Sequence, residues 1–208
     1  MIYTIFENIN TSNCYPFTLN HALVEVRLGA FSVLEKIEHQ ISKEDQIILI
    51  VREQLKDILS ERYPHVIINP NKIPPSNIYH ASTVDIKDSS PYLVLDKETS
   101  IDVLKDRISG YKDSSHLWDF LKSNHLKDDM RYFSMCIDGE LHSSSILINK
   151  QKIHISRSSR VSAGVVLDAS AGPIIIDDNV FIDIGSLIKG PAYIGKGSTI
   201  NLGAKIVG

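Results

Sequence analysis

The chain has 208 residues, enough for one large domain or two small ones, and 43% of them are hydrophobic, which supports a buried core. The formal net charge of -3 and the lack of any Lys/Arg cluster argue against a nucleic-acid-binding protein, because such proteins normally present a basic face. Two distant cysteines, Cys14 and Cys136, exclude a disulfide framework and a zinc site. The N-terminus lacks the features of a secretory signal, and no apolar run could span a membrane, so we expect a cytoplasmic protein without a membrane partner.

The first 150 residues alternate strand-like and helix-like segments, which predicts an α/β domain. Four strands are predicted, at Ile2–Phe6 and at residues 46–51, 66–68 and 92–95. Helices are predicted at residues 30–41, around 55–59, at 99–108 with Thr99 as the cap, and from 117 to 133. A short apolar segment at Ile146–Ile148 then leads into a different pattern.

A six-residue repeat dominates the last part of the chain. Large aliphatic residues recur at the repeat position: Ile155, Val161, Leu167, Ile176, Ile182, Ile188, Ile194, Ile200 and Ile206. Four residues after most of them comes a smaller side chain: Ser159, Val165, Val180, Ser186, Ala192, Ser198 and Ala204. A triangular solenoid explains this period, because each short face buries one large residue and leaves room for a small one near the corner. We therefore predict a left-handed parallel β-helix of about three coils over residues 151–208, after an α/β domain at 1–150.

Three coils bury little apolar surface for the number of residues they order, and solenoids need capped ends. The repeat stops in mid-pattern at Gly208. We expect the chain to be a fragment of a longer protein, or another chain to cover the open end.

Residues 190–198 nearly match a phosphate-binding P-loop, but Gly197 occupies the position of the required Ser or Thr. No two histidines have helical metal-ligand spacing, so no metal ligand is predicted. His21, after the first strand, is either a surface histidine or a ligand contact. Arg27 lies in an apolar stretch and needs a partner, either an ion pair with Glu25 or Glu35 or a ligand phosphate.

An α/β domain followed directly by hexapeptide coils resembles the bifunctional sugar-1-phosphate uridylyltransferase/acetyltransferases, and most closely a divergent branch of sugar nucleotidyltransferases. The segments that carry the resemblance are residues 15–21, 25–30, 34–36, 67–74 and 118–120, then Asn124 and residues 167–173. The resemblance covers most of the chain. It implies a nucleotidyltransferase-like first domain, with a nucleotide-sugar site above the first strand and Mg²⁺ bound together with the nucleotide.

The sequence departs from the family pattern at three places. Residues 7–14 contain no glycine, where the family has a glycine-rich loop that wraps the nucleotide. Pro16 is followed by Phe17, where the family has a lysine that contacts phosphate. Asn69 occupies the position of the aspartate that binds magnesium in the family. Arg27 could replace the missing lysine as a phosphate clamp. No catalytic residue is assigned. The candidate nucleotide- or substrate-binding residues are Pro16, Asn20, His21, Arg27, Gly29 and Asn69.

The resemblance implies an enzyme of sugar-nucleotide metabolism that binds a nucleotide or a sugar phosphate and transfers a nucleotidyl group to a sugar 1-phosphate. The alternative is a non-catalytic assembly or substrate-recognition module of a hexapeptide-repeat acyltransferase. Acetyl-CoA would bind only if further coils were present. In both cases the resemblance implies a homo-oligomer, a trimer through the β-helix, and the net charge argues against a nucleic-acid partner.

Overall fold

The computed structural model describes residues 1–7, 15, 18–111 and 125–208. The chain divides into two compact units, Met1–Ser123 and Asn124–Gly208. The division lies ahead of the boundary at residue 150 expected from the sequence, because the stacked strands of the second unit begin at Glu140. Within the described segments, no helix has both the length and the apolar character needed to cross a membrane.

The described part of the first unit contains nine strands, five of which form one sheet that is flanked by helices. Its strands are β1 (Ile2–Phe6), β2 (Arg27–Leu28), β3 (Phe31–Ser32), β4 (Gln46–Ile50), β5 (Ile67–Ile68), β6 (Lys72–Ile73), β7 (Ser76–His80), β8 (Leu93–Leu95) and β9 (Thr99–Ser100). Its helices are α1 (Val33–Gln40), α2 (Lys56–Arg62) and α3 (Ile101–Ser109). The strand β7, which pairs with β1, was not predicted, and the cap of α3 is Ser100 rather than Thr99.

The sheet has the order β5-β4-β1-β7-β8, with the first four strands parallel and β8 antiparallel. The chain therefore runs outward from β1 through β4 to β5 and then returns to β7 on the other side of β1. Such a reversal of strand order marks the switch point where open α/β sheets usually bind ligands, outside the carboxyl ends of the strands.

Both faces of this sheet are covered, which explains why its strands read as continuous apolar runs. On one face, Ile5 and Leu49 pack with Leu34 and Ile37 of α1. The other face has its own core, formed by side chains of the same strands and of α3: Phe6, Ile48, Ile50, Ile78, Leu104 and Ile108. Helix α1 begins with a capping box, in which Ser32 Oγ accepts from Glu35 N and the Glu35 carboxylate accepts from Ser32 N.

The second unit starts with a short helix, α4 (His125–Asp129), and continues as three parallel sheets. Its strands are β10 (Glu140–Leu141), β11 (Ile146–Ile148), β12 (Ile153–Ile155), β13 (Arg160–Val161), β14 (Val166–Asp168), β15 (Ile174–Ile176), β16 (Phe181–Ile182), β17 (Leu187–Lys189), β18 (Ala192–Ile194), β19 (Thr199–Ile200) and β20 (Lys205–Val207). Every third strand joins the same sheet, in the orders β10-β13-β16-β19, β11-β14-β17-β20 and β12-β15-β18. The strands are thus stacked in regular repeats, as the six-residue period predicted.

The repeat residues lie in register within this stack. Ile155 pairs with Ile176 and Ile176 with Ile194, and all three side chains are buried. The small positions are inward too: Ser186 is buried, with its hydroxyl oxygen 2.9 Å from Asp183 O and 3.0 Å from Asn201 O. Buried hydroxyls at these positions therefore bond to turn carbonyls instead of remaining unsatisfied.

Candidate functional site

A cavity of about 450 Å³ opens at the carboxyl ends of β1 and β4, beside the switch point of the first sheet. Its lining residues come from these two strand ends, from the turn after β4 and from the last turns of α3: Phe6, Glu7, Ile50, Val51, Arg52, Glu53, Gln54, Lys105, Ile108 and Ser109. A mostly apolar cavity of this size, with a few charged groups, is typical of small-molecule sites.

Glu7, the first residue after β1, lines this cavity, and its side chain is 1% exposed. Its Oε1 accepts hydrogen bonds from the backbone N and the Nε of Arg52, both at 3.0 Å. Its Oε2 accepts from Leu23 N at 2.9 Å. A buried carboxylate needs such donors to offset its desolvation, so these contacts keep Glu7 in place.

Arg52 connects the strand ends to the segment that follows β1. Besides its contacts with Glu7, its Nη2 donates to Thr18 O at 2.7 Å and to His21 O at 2.8 Å. None of the described residues accepts a hydrogen bond from its Nη1. Arg52 thus uses Nε and Nη2 to hold its neighbours, and it is one of the residues that line the cavity.

Two further charged side chains stand at the cavity. Lys105, on the exposed side of α3, makes no ion pair with any residue that the structure describes. Glu53 is 67% exposed, lies 3.7 Å from Lys56 Nζ and accepts from Asn69 Nδ2 at 3.3 Å. Arg52 pairs with Glu7, and Lys56 lies near Glu53, so neither lining carboxylate is paired with Lys105.

An aromatic cluster adjoins the cavity on the β7 side. Phe6 lies edge-on to His80, at the end of β7, and to Tyr111, which follows α3. Tyr111 stacks on His80, with ring centroids 4.4 Å apart, and meets Tyr92 edge-on. Phe6 belongs to both the cluster and the cavity lining, so the cluster adjoins the cavity through this residue.

Asn69, a candidate from the sequence, is buried next to the cavity and serves the backbone. Its Oδ1 accepts from Val51 N and its Nδ2 donates to Val51 O, both at 2.9 Å. Its backbone has a φ of 44°, in the left-handed region that asparagine tolerates better than most residues. This amide holds the chain directly after β4, and its oxygen is not turned toward a ligand.

Arg27 and Gly29 lie in the hairpin formed by β2 and β3. Arg27 Nη1 donates to Ala30 O, and Nη2 lies 3.5 Å from Glu35 Oε2, an ion pair that the sequence had offered as one alternative. Gly29 has a φ of 84°, which suits the tight turn between the strands. Neither residue is among those that line the cavity.

His21 and Asn20 are exposed in the bend before a turn of 3-10 helix at Leu23–Glu25. His21 Nδ1 lies 3.3 Å from Arg62 Nη1 and 3.5 Å from Glu25 Oε2. The Glu25 carboxylate also accepts from Arg62 and, at 3.3 Å, from Tyr63 Oη. His21 thus belongs to a surface cluster, while its carbonyl oxygen is held by Arg52. Pro16 lies outside the described residues.

Mg²⁺, which the family resemblance implies, fits this donor set poorly. Magnesium takes hard oxygen ligands, usually one or two carboxylates together with substrate phosphates. The Glu7 oxygens already accept three hydrogen bonds from protein donors, and Asn69 Oδ1 accepts from Val51 N. Among the described residues, no group of three His, Cys, Asp or Glu side chains could hold a metal ion.

Glu7 and Arg52 were not singled out from the sequence, although each directly follows a predicted strand. That position was the available signal, because the carboxyl ends of neighbouring parallel strands meet at one edge of a sheet. Lys105 gave no signal, since it reads as an ordinary exposed residue of a helix.

No model of a known protein family matches the chain, and no curated protein is similar to it in sequence.

Proposed function

We propose that the first unit binds a nucleotide or a nucleotide sugar in the cavity at the ends of β1 and β4, and that the protein acts in sugar-nucleotide metabolism. The observation that carries this proposal is the combination of an apolar cavity of about 450 Å³ with two cationic side chains in its lining, Arg52 and Lys105. Cationic donors suit phosphate, and the apolar lining, which includes Phe6, suits a base or the face of a sugar ring.

Nucleotidyl transfer to a sugar 1-phosphate is the reaction that belongs to this proposal. Phosphoryl chemistry asks the protein mainly to position the reactants and to stabilise charge on phosphate oxygens. Arg52 and Lys105 are suited to that task because both stand at the cavity. Arg27, considered from the sequence as a phosphate clamp, is engaged by Glu35 and Ala30 and is the weaker candidate.

We also propose that the second unit is a left-handed parallel β-helix and that the first unit is a nucleotidyltransferase-like domain. Successive strands join the three parallel sheets in turn, and Ile176 pairs with Ile194, 18 residues later. Both features favour a left-handed parallel β-helix. The strand order of the first unit is compatible with a nucleotidyltransferase-like domain. An α/β ligand-binding unit joined to such a helix is the arrangement of the sugar-1-phosphate uridylyltransferase/acetyltransferases that the sequence resembles.

A second candidate function is assembly, with the repeats of the second unit forming a homotrimer. Apolar side chains that point away from the core favour it. They lie on the sheet that contains β11, β14 and β17 and in the turns before β17 and β20. Ile146, Val166 and Leu187 lie in register along β11, β14 and β17, and Ile146 and Leu187 are 55% and 44% exposed. An exposed apolar row of this kind often marks a protein interface.

Thermal-shift and pyrophosphate-release assays test the main proposal. A ligand at 100 times its Kd should stabilise the protein by about 2.7 kcal/mol, which raises the melting temperature by several degrees. Turnover of a sugar 1-phosphate with one nucleoside triphosphate from a panel would establish the reaction. No thermal shift with any nucleotide or nucleotide sugar, together with no turnover, would refute both binding and transfer.

A further inference from the structure

The charged groups at the cavity point to the way in which a phosphate is held. We propose that the cavity takes the phosphate groups of its ligand directly on Arg52 and Lys105 and needs no divalent cation. This inference rests on the proposed function, since it concerns the same cavity. It names the ligand class as a nucleotide sugar or nucleoside diphosphate that binds free of metal.

The buried carboxylate of Glu7 is unavailable to a metal ion. Its two oxygens accept three hydrogen bonds at 2.9 to 3.0 Å, and one of the donors is a guanidinium. A cation that approached Glu7 would have to displace Arg52, which also holds the carbonyl groups of Thr18 and His21. Removing one partner of a buried ion pair is costly, so a second cation has no favourable position there.

Glu53 is the remaining carboxylate of the described lining. It is 67% exposed, it faces Lys56 Nζ, and it accepts a hydrogen bond from the buried amide of Asn69. One solvent-exposed carboxylate beside a lysine is a weak anchor for a cation that keeps most of its own water. Asn69 adds nothing to it, because its oxygen already accepts from Val51 N.

The two cationic side chains can, in contrast, contact a diphosphate directly. Arg52 and Lys105 both line the cavity, and no described carboxylate forms an ion pair with Lys105. Glu7 already balances the charge of Arg52, so Arg52 contributes hydrogen-bond donors and Lys105 contributes the positive charge.

Calorimetric titration of the full chain tests this inference. The probes are UDP-glucose, GDP-mannose, ADP-glucose and the corresponding triphosphates, each in excess EDTA and in millimolar MgCl₂. We expect at least one nucleotide sugar to bind with the same affinity in both buffers, within about twofold. Lys105→Gln should weaken that binding about tenfold through loss of a charge-assisted contact. Arg107→Gln removes a charge from the same helix away from the cavity and should have no effect.

The Glu53→Gln variant distinguishes direct phosphate contacts from contacts through a divalent cation. If the contacts are direct, the substitution should raise the affinity for the nucleotide sugar slightly, because it removes a negative charge from beside the phosphate. Binding that is lost in EDTA, or that falls about tenfold in Glu53→Gln, would overturn metal-free recognition and leave the proposed function standing. If no probe binds in either buffer, the proposed function fails and this inference fails with it.

Discussion

Asn69 combines a buried amide with a left-handed backbone and thereby fixes the chain where β4 ends. Its two hydrogen bonds hold Val51, which lines the cavity. A polar residue directly after an apolar strand is easy to recognise in a sequence. Its role, however, depends on which neighbouring group forms hydrogen bonds with it.

Replacement of Asn69 by alanine should lower the free energy of unfolding by about 3 kcal/mol, because two buried hydrogen bonds are lost and alanine is strained at positive φ. Asn69→Gly keeps the backbone relaxed and should cost about 1 kcal/mol less. Urea denaturation measures both, with the exposed Asn71→Ala as the control. Equal stability of wild type and Asn69→Ala would contradict the structural role of this amide.

Tyr63 gives the first unit a specific response to alkaline pH. Burial of its ring, and next the negative charge of Glu25, raise the pKa of Tyr63 to about 12. The ordinary value is about 10, so the folded state binds this proton more tightly than the unfolded state. Its contribution to stability is complete below pH 10 and is lost as the pH rises through about 12.

We therefore expect wild-type stability to fall more steeply than that of Tyr63→Phe between about pH 10 and 12. The phenylalanine variant has no proton to lose at this position. Unfolding curves at a series of alkaline pH values measure the difference, and identical slopes for the two proteins would contradict it.

The pair formed by Glu7 and Arg52 shows why a site is harder to predict than a fold. Each residue follows a strand that the sequence predicts, yet 45 positions separate them along the chain. Their contact depends on β1 and β4 being neighbours, which a pattern within either strand does not encode. Arg27, a candidate from the sequence, lies instead in a local ion pair with Glu35.

At the level of elements, the stacked strands were foreseeable because every six-residue repeat carries its own signal. The nine-residue interval from Leu167 to Ile176 is accommodated in the turn between β14 and β15, and the ladder continues in register. Strands β10 and β11 were not included in the predicted β-helix. Leu147 and Ile155 are eight residues apart, which interrupts the six-residue period. Strand β7 was missed because it begins with the polar residues Ser76 and Asn77.

The buried columns of the second unit should dominate its stability. Ile176 lies between Ile155 and Ile194 and is fully buried, so Ile176→Ala should cost about 2–5 kcal/mol through the lost burial and the cavity that remains. The exposed Thr199→Ala should change stability by no more than about 0.5 kcal/mol. Thermal unfolding monitored by circular dichroism compares the two, and similar effects would contradict the inward orientation of Ile176.

At the scale of the whole molecule, the apolar row on the second unit bears on assembly. Ile184 and Leu202, at successive corners, are 52% and 68% exposed and extend the apolar surface near Leu187. Shielding such side chains from water favours association between copies of the chain.

If the proposed trimer forms through this row, Leu187→Glu should shift it toward monomers at micromolar concentration, because an unpaired charge would be buried at the contact. Sedimentation velocity measures the change, and Thr199→Glu, on a different sheet, is the matched control. A wild-type protein that is monomeric under these conditions, or a Leu187→Glu protein that remains trimeric, would rule out assembly through this row.

We propose that the cavity at the ends of β1 and β4 binds a nucleotide or nucleotide sugar, and a crystal structure with the tightest-binding nucleotide sugar is the decisive test. We expect the diphosphate between Arg52 and Lys105, with the rest of the ligand against Phe6 and Ile108. A ligand bound elsewhere on the protein, with this cavity filled by solvent, would contradict it.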